Sequence, residues 1–495
     1  MVLTIALSLA ACSVESGVTP IPDLGRGGGG DTAPPNPDVD DGDPFEGLDR
    51  GDGDARTAGT ELWLAFMENL TLSSNGPPVF RVLLRSEQDT SGEIRAPATG
   101  FAQPFSLRAG EAVEVALPDA TLYPQGSDVT GQTGLQIIAD APIEATALHY
   151  RVYFTETSIA LPVEELGSEY RVIAVPDDDG EHPGAFVVLA TADSTEVQIT
   201  PTAITGGLRP AGEPYTVTLN AGETYQVQAK DDLTGSRVRA LNGEPIAVFS
   251  GAQQADVACP SGSDSHVYDQ NYPLTRWGRR YVVVPFAQKA FDRVRVLAAV
   301  DGTEVRVDCG EPVSLGAGDF IELEVAAVTE ITASAPVAVA QISRGGWCDQ
   351  RQVDTYEVDE EGNRYGPFPL DIVIGDPSMV IHPPAALTRQ RADTRALPGE
   401  VYTLQEYPMH FVNAWLPAGS TLQLDGEDVT AQLTALADGS RAGALEILPG
   451  NHRLESDGPF QAHAYGFDQY EAYTYHLGYD CVGCVEALTD APACD

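Results

Sequence analysis

Hydrophobic and polar positions alternate in short runs along most of this 495-residue chain. Tyr215-Thr216-Val217-Thr218-Leu219 keeps one apolar side, turns through Ala221-Gly222 and resumes as Tyr225-Gln226-Val227. Period-two runs rich in β-branched and aromatic residues predict half-buried strands, here joined as an antiparallel hairpin. Val294, Val296 and Ala298 repeat the pattern, with Asp301-Gly302 standing before Val305 and Val307. Asp-Gly between alternating runs is a strong hairpin signal. Long amphipathic helical stretches are nearly absent, and 49 Gly and 36 Pro punctuate the short strands, so the chain is predicted to be all-β.

The strand signals recur. Four of them end in a Pro-hydrophobic step: Pro142-Ile143, Pro245-Ile246, Pro336-Val337 and Pro459-Phe460. A turn of Leu, any residue, Ala, Gly and an acid appears at Leu107–Glu111, Leu219–Glu223 and Leu315–Asp319, with a diverged copy at Leu448–Asn451. Internal repeats at this spacing predict an array of related β units. Connecting stretches recur too: Pro162 to Gly167 leads into Tyr170, and Pro273 to Gly278 leads into Tyr281. The expected units are 58–176, 177–286, 287–404 and 405–495, each closed by a buried strand feeding the next. The preferred architecture is four antiparallel sandwich-like units packed end to end, with a propeller-like closed assembly as the alternative.

Residues 1–12 are an apolar run ending in Leu9-Ala10-Ala11-Cys12. This resembles the lipobox of bacterial lipoproteins, in which the Cys is acylated; no Lys or Arg precedes the run. Ser13 after the Cys implies sorting to the outer membrane, anchored in its lipid and displayed at the cell surface or outside it. Residues 13–57, with their Gly, Pro and Asp runs, are expected to form a disordered tether. Net charge is −45, with Lys230 and Lys289 the only lysines. Such a surface repels phosphate backbones, which argues against nucleic-acid partners, and favours cationic ones.

Six cysteines follow Cys12: Cys259, Cys309, Cys348, Cys481, Cys484 and Cys494. An even count in an exported chain predicts disulfides, with a terminal cluster of Cys481, Cys484 and Cys494 using at least one bridge internally. No GxSxG, HExxH, P-loop or dinucleotide fingerprint stands in a matching context, so no enzyme activity and no cofactor is expected. Asp177, Asp178 and Asp179 are weak calcium candidates through their oxygen ligands. Trp63, Trp277, Trp347 and Trp415 are expected as core anchors, and the tyrosines at 470, 473, 475 and 479 as packing of a terminal strand.

GTELWLAFMEN at 59–69 and PIAVFSGAQQADVACPSGSDSHVYDQNYPLTRWGRRYVVVPF at 245–286 resemble the N-terminal domain of IgGFc-binding proteins. GDPSMVIHPP at 375–384 and AYGFDQYEAYTYHLGY at 464–479 fit the same family. Family loops usually carry a second Cys directly before the Asp-His; here the stretch is Ser263-Asp264-Ser265-His266. That departure implies a more distant partner for Cys259, either Cys309 or Cys348. The resemblance implies a secreted or surface-displayed module for binding or adhesion to an extracellular protein, glycan or matrix. A ligand loop is expected over 259–276, with Asp264, His266, Tyr268 and Asp269 as its contact residues. The rival readings are a hydrolase with an unrecognised site and a calcium-stabilised spacer.

Overall fold

The computed structural model describes residues 18–20 and 53–489, apart from 71–76, 118–121, 152, 260–263, 359–363, 398–408 and 469. Cys12, Cys494 and most of the expected tether lie outside the described residues. Among the described residues the regular structure is antiparallel β with short 3-10 turns and no α-helix.

Each unit is built on one long strand that serves two sheets. In the first unit the first half of Leu135–Tyr150 pairs with Gly59–Leu64 and Thr90–Ala96. Its second half pairs with Val79–Arg85 and Glu156–Ala160. Thr329–Ser343 does the same in the third unit, between Gly278–Val283 with Thr303–Val307 and Asp292–Ala298 with Met379–His382. Gly450–Asp468 is the counterpart in the fourth. In the second unit the strand is split into Arg237–Ala240 and Ile246–Ala255. The recurrent proline sits at each crossing point, where a residue without an N–H and with fixed φ interrupts the ladder. The Pro-hydrophobic step is therefore the hinge of a sandwich.

The two expected hairpins are absent. Tyr215–Leu219 pairs with Thr195–Thr200 in one sheet, whereas Thr224–Ala229 pairs with Gly184–Ala190 in the other. Likewise Asp292–Ala298 and Thr303–Val307 bind opposite halves of the long strand rather than each other. Alternation reports one buried face; it does not report which neighbour completes the backbone hydrogen bonds. These turns arch between sheets, and Gly222, at φ +81°, supplies a left-handed residue in one of them. The strand after each connecting turn pairs forward: Glu169–Arg171 joins Arg237–Ala240 in the unit that follows it.

The four units close on a shared centre instead of lying end to end. Their last strands, Glu156–Ala160, Ser265–Gln270, Met379–His382 and Glu471–His476, pack on one another in a cycle, first on second, second on third, third on fourth and fourth on first. The ends of the chain clasp the ring: Ala55–Arg56 pairs with Asp480–Cys481, and Thr57 N donates to Tyr479 O over 2.9 Å. Residues 53–57 therefore belong to the fold, and Val18–Pro20 adds to the edge strand Phe320–Val325. Both pieces fall within the stretch expected to be a free tether.

Repeated contacts lock neighbouring elements. A Cβ added to Gly59, Gly167 or Gly278 would lie 2.3, 2.6 or 2.5 Å from the Cβ of Pro162, Pro273 or Pro384. The connecting prolines thus need glycine opposite them. Tyr170 OH donates to Ile246 O over 2.6 Å, and Tyr281 OH to Val337 O over 2.5 Å, tying each opening strand to its long strand. Trp63, Trp277 and Trp415 are buried as expected.

Candidate functional site

Of the expected ligand loop, residues 260–263 lie outside the described residues, and three of its four contact residues lie inside the molecule. Ser265–Gln270 is a strand of the central cycle, and His266, Tyr268 and Asp269 are buried. Asp269 holds three short bonds at the centre: from Ser158 Oγ, its neighbour Gln270 N and Ile381 N, each 2.8 Å. Burial still pushes its carboxyl up to about 7. Glu156 accepts from Ser378 Oγ at 2.9 Å, Met379 N at 3.0 Å and Thr474 N at 3.4 Å, and burial raises it well above the usual range. These carboxyls join units. Only Asp264 is partly accessible, and it accepts from Gln254 Nε2 over 2.5 Å.

Two of the three calcium candidates are engaged elsewhere. Asp177 accepts Glu181 N, His182 N and Asp256 N at 2.9–3.0 Å, which makes it the cap of a turn. Asp178 takes a two-pronged bond from Arg293 at 2.7 and 2.8 Å, linking the second unit to the third. Asp179 is exposed beside them. Among the described residues no group of three or more His, Cys, Asp or Glu is placed to hold a metal.

Two disulfides are described. Cys259–Cys348 bridges the second and third units, and Cys481–Cys484 closes on itself beside the clasp. Cys309 is also disulfide-bonded.

The place where the ring closes offers a cavity. It has a volume of about 150 Å³ between the first and fourth units. Val79–Arg85 contributes Arg81, Ala112–Leu117 contributes Glu114, and Arg389–Ala396 contributes Arg395. Arg81 Nη1 lies 2.9 Å and Arg395 Nη1 3.7 Å from the Glu114 carboxylate, so one acid bridges cations of two units. Asp468 and Glu471 enter from the last turn of the fourth unit. His410 meets Tyr473 OH at 3.0 Å, and burial, helped by His452, lowers its imidazole to about 4, leaving it neutral at pH 7.

An aromatic group joins turns of three units, Tyr470 being next in the chain to the lining residue Glu471. Tyr153 and Tyr470, in the corresponding turns of the first and fourth units, meet edge to face with centroids 5.9 Å apart. Trp347 of the third unit lies 6.0 Å from Tyr470 and is 40% exposed. Trp347 is thus no core anchor, and Tyr470 is half-exposed while Tyr473, Tyr475 and Tyr479 are buried. The two exceptions to the aromatic expectation touch each other. No local pattern marks the seam, because its residues come from opposite ends of the chain.

The fold and its seam define a disulfide-bonded β-repeat protein with a cavity of mixed charged and apolar lining at a unit boundary. The chain belongs to the IgGFc binding protein family, whose model matches residues 156–466. The human IgGFc-binding protein is 29% identical over 392 residues, which cover 77% of this chain and 7% of that protein. Among solved structures, a tetra-tandem repeat from the extending region of a large adhesion protein aligns over 87% of this chain and 97% of its own. At 11% identity and a TM-score of 0.09 that alignment carries no statement about the fold.

Proposed function

We propose that this chain is a non-catalytic binding module that engages an extracellular protein, with glycan or matrix as the wider partner class. The observation that carries the reading is membership of the IgGFc binding protein family across most of the repeat array. The relative's name speaks of an immunoglobulin Fc, and a protein partner is the class it suggests for this chain. Two features support it. The carboxyls of Asp269 and Glu156 at the centre are spent on joining units, and disulfides suit an oxidising exterior. Acylation at Cys12 would then hold the module at an outer-membrane surface, as Leu9-Ala10-Ala11-Cys12 suggests.

The full chain, immobilised, is to be screened against immunoglobulins, mucins and matrix polysaccharides. Saturable capture of a protein with no turnover supports the reading; hydrolysis of an ester, peptide or glycoside overturns it. Detergent partitioning of wild type against Cys12→Ala tests the anchor, and equal partitioning removes it.

A further inference from the structure

We propose that a second cavity on the seam between the first and fourth units binds a carboxylated sugar of an extracellular glycan, with Arg85 taking the sugar's carboxylate. This rests on the reading of the chain as a binding module and names one chemical group that the module recognises. The cavity has a volume of about 200 Å³. Arg85, at the end of Val79–Arg85, and Thr394 are buried on its floor, while Glu111, Asp425 and Asn451 are exposed at its mouth. The first and fourth copies of the recurrent turn meet here. Leu107–Glu111 brings Glu111, and the diverged Leu448–Asn451 brings Asn451.

Arg85 carries the argument. It is only 8% exposed, and its Nη2 is buried with no hydrogen-bond partner among the described residues. The carboxylates around it are engaged by other donors. Glu144, opposite Arg85 in the sheet, accepts from Arg389 Nη1 at 2.8 Å and Thr57 Oγ1 at 3.2 Å. Asp393 accepts from Arg453 Nε and Nη2 at 2.7 and 3.2 Å. Asp425 accepts from Arg453 N at 2.8 Å and meets His452 Nδ1 at 2.7 Å. A buried guanidinium without an anion carries a desolvation cost, which a ligand carboxylate in two-pronged contact would offset.

The rest of the lining selects a sugar. Ala112 is its one apolar side chain among the described residues, so little is offered to an aliphatic or aromatic group. Hydroxyls suit it, since Glu111 presents a carboxylate and Asn451 both a donor and an acceptor at the mouth. The volume exceeds the ~150 Å³ that holds a benzene ring, which leaves room for one pyranose. In the second and third copies of the turn the acid caps its own backbone, Glu223 accepting from Asn220 N at 2.8 Å and Asp319 from Gly316 N at 3.0 Å. The fourth copy has Asn451 in that place, so one negative charge fewer faces the ligand. The net charge of −45 repels polyanions, and the fitting ligand therefore bears a single carboxylate on an otherwise neutral ring.

The test uses the full chain and calorimetric titration with methyl glucuronide, the methyl glycoside of N-acetylneuraminic acid, neutral methyl glucoside, and propionate, a carboxylate without a sugar ring. At least one acidic sugar is expected to bind saturably, with glucoside and propionate about tenfold weaker or worse. The tighter of the two acids names the sugar class. Arg85→Gln should weaken acidic-sugar binding about tenfold without lowering the melting temperature, because a buried charge is removed and no bond of Nη2 is lost. Asn451→Asp, which restores the acid of the other copies at the exposed mouth, should weaken it too. Arg209→Gln, at an exposed arginine of the second unit, should change nothing. Absence of binding by both acids, or glucoside or propionate binding as tightly as they do, would overturn the proposal. So would unaltered binding in both Arg85→Gln and Asn451→Asp, equal loss with Arg209→Gln, or a lower melting temperature in Arg85→Gln. A captured protein that both free acidic sugars and Arg85→Gln leave in place removes the sugar site and spares the module reading. Acidic-sugar binding at the cavity without capture of any extracellular protein does the reverse.

Discussion

Ser378 Oγ donates to Glu156 Oε1 over 2.9 Å although 222 residues separate them in the chain. The bond joins the first unit to the third through the middle of the ring, and Met379 N and Thr474 N converge on the same carboxyl. A buried carboxyl is tolerable only with such donors around it.

Replacing Glu156 by Ala leaves those donors without an acceptor in a buried centre. The expected loss is about 3 kcal/mol of stability, read as a lower urea midpoint. Glu156→Gln should lose less, since one carbonyl oxygen still accepts. Equal stability of both variants and wild type would show that the units do not depend on the centre.

The interior sets an optimum of pH. His149, His266, His382, His410, His463 and His476 are all lowered, chiefly by burial, three of them to about 4. Each binds a proton more readily unfolded, so stability falls as pH drops from about 6.5 towards 4. Glu156, Asp269 and Asp292 are raised by burial, the latter two to about 7, so their penalty grows as pH rises through that range. The histidines outnumber the carboxyls on the acid side. Urea midpoints measured near pH 4.5, 6.5 and 8.5, in about 0.5 M NaCl to screen the acidic surface, should be highest in the middle.

Gly278→Ala should destabilise the chain by about 1–3 kcal/mol, because its Cβ would fall 2.5 Å from that of Pro384. Gly59→Ala, opposed by Pro162, should cost a similar amount. A thermal shift below one degree in both would show that the connecting turns yield freely.

Cys259–Cys348 closes a separation of 89 residues between two units. Cys348→Ser should lower stability by about 2–4 kcal/mol. Wild type under a thiol reductant should fall by at least as much, and non-reducing peptide mapping should recover the bridge.

Much of the architecture was legible because its signals are local. Pro142, Pro245, Pro336 and Pro459 interrupt a ladder wherever they occur, so the repeated crossing strand shows in the letters. Of the two partners that the family resemblance implied for Cys259, the structure selects Cys348. The candidate site was not legible. Asp264, His266, Tyr268 and Asp269 read as a polar loop, yet Asp269 finds its donors at Ser158 and Ile381 in other units.

The sequence by itself determined the strands, their repetition and the acidic surface, since periodicity, proline and charge act at the residue that carries them. Tertiary structure alone decided which strand pairs with which, that four sandwiches close into a ring, and that Tyr153 meets Tyr470. The reason is physical. Backbone hydrogen bonds do not depend on side-chain identity, so an alternating strand fits either sheet until packing of the whole chain removes the choice.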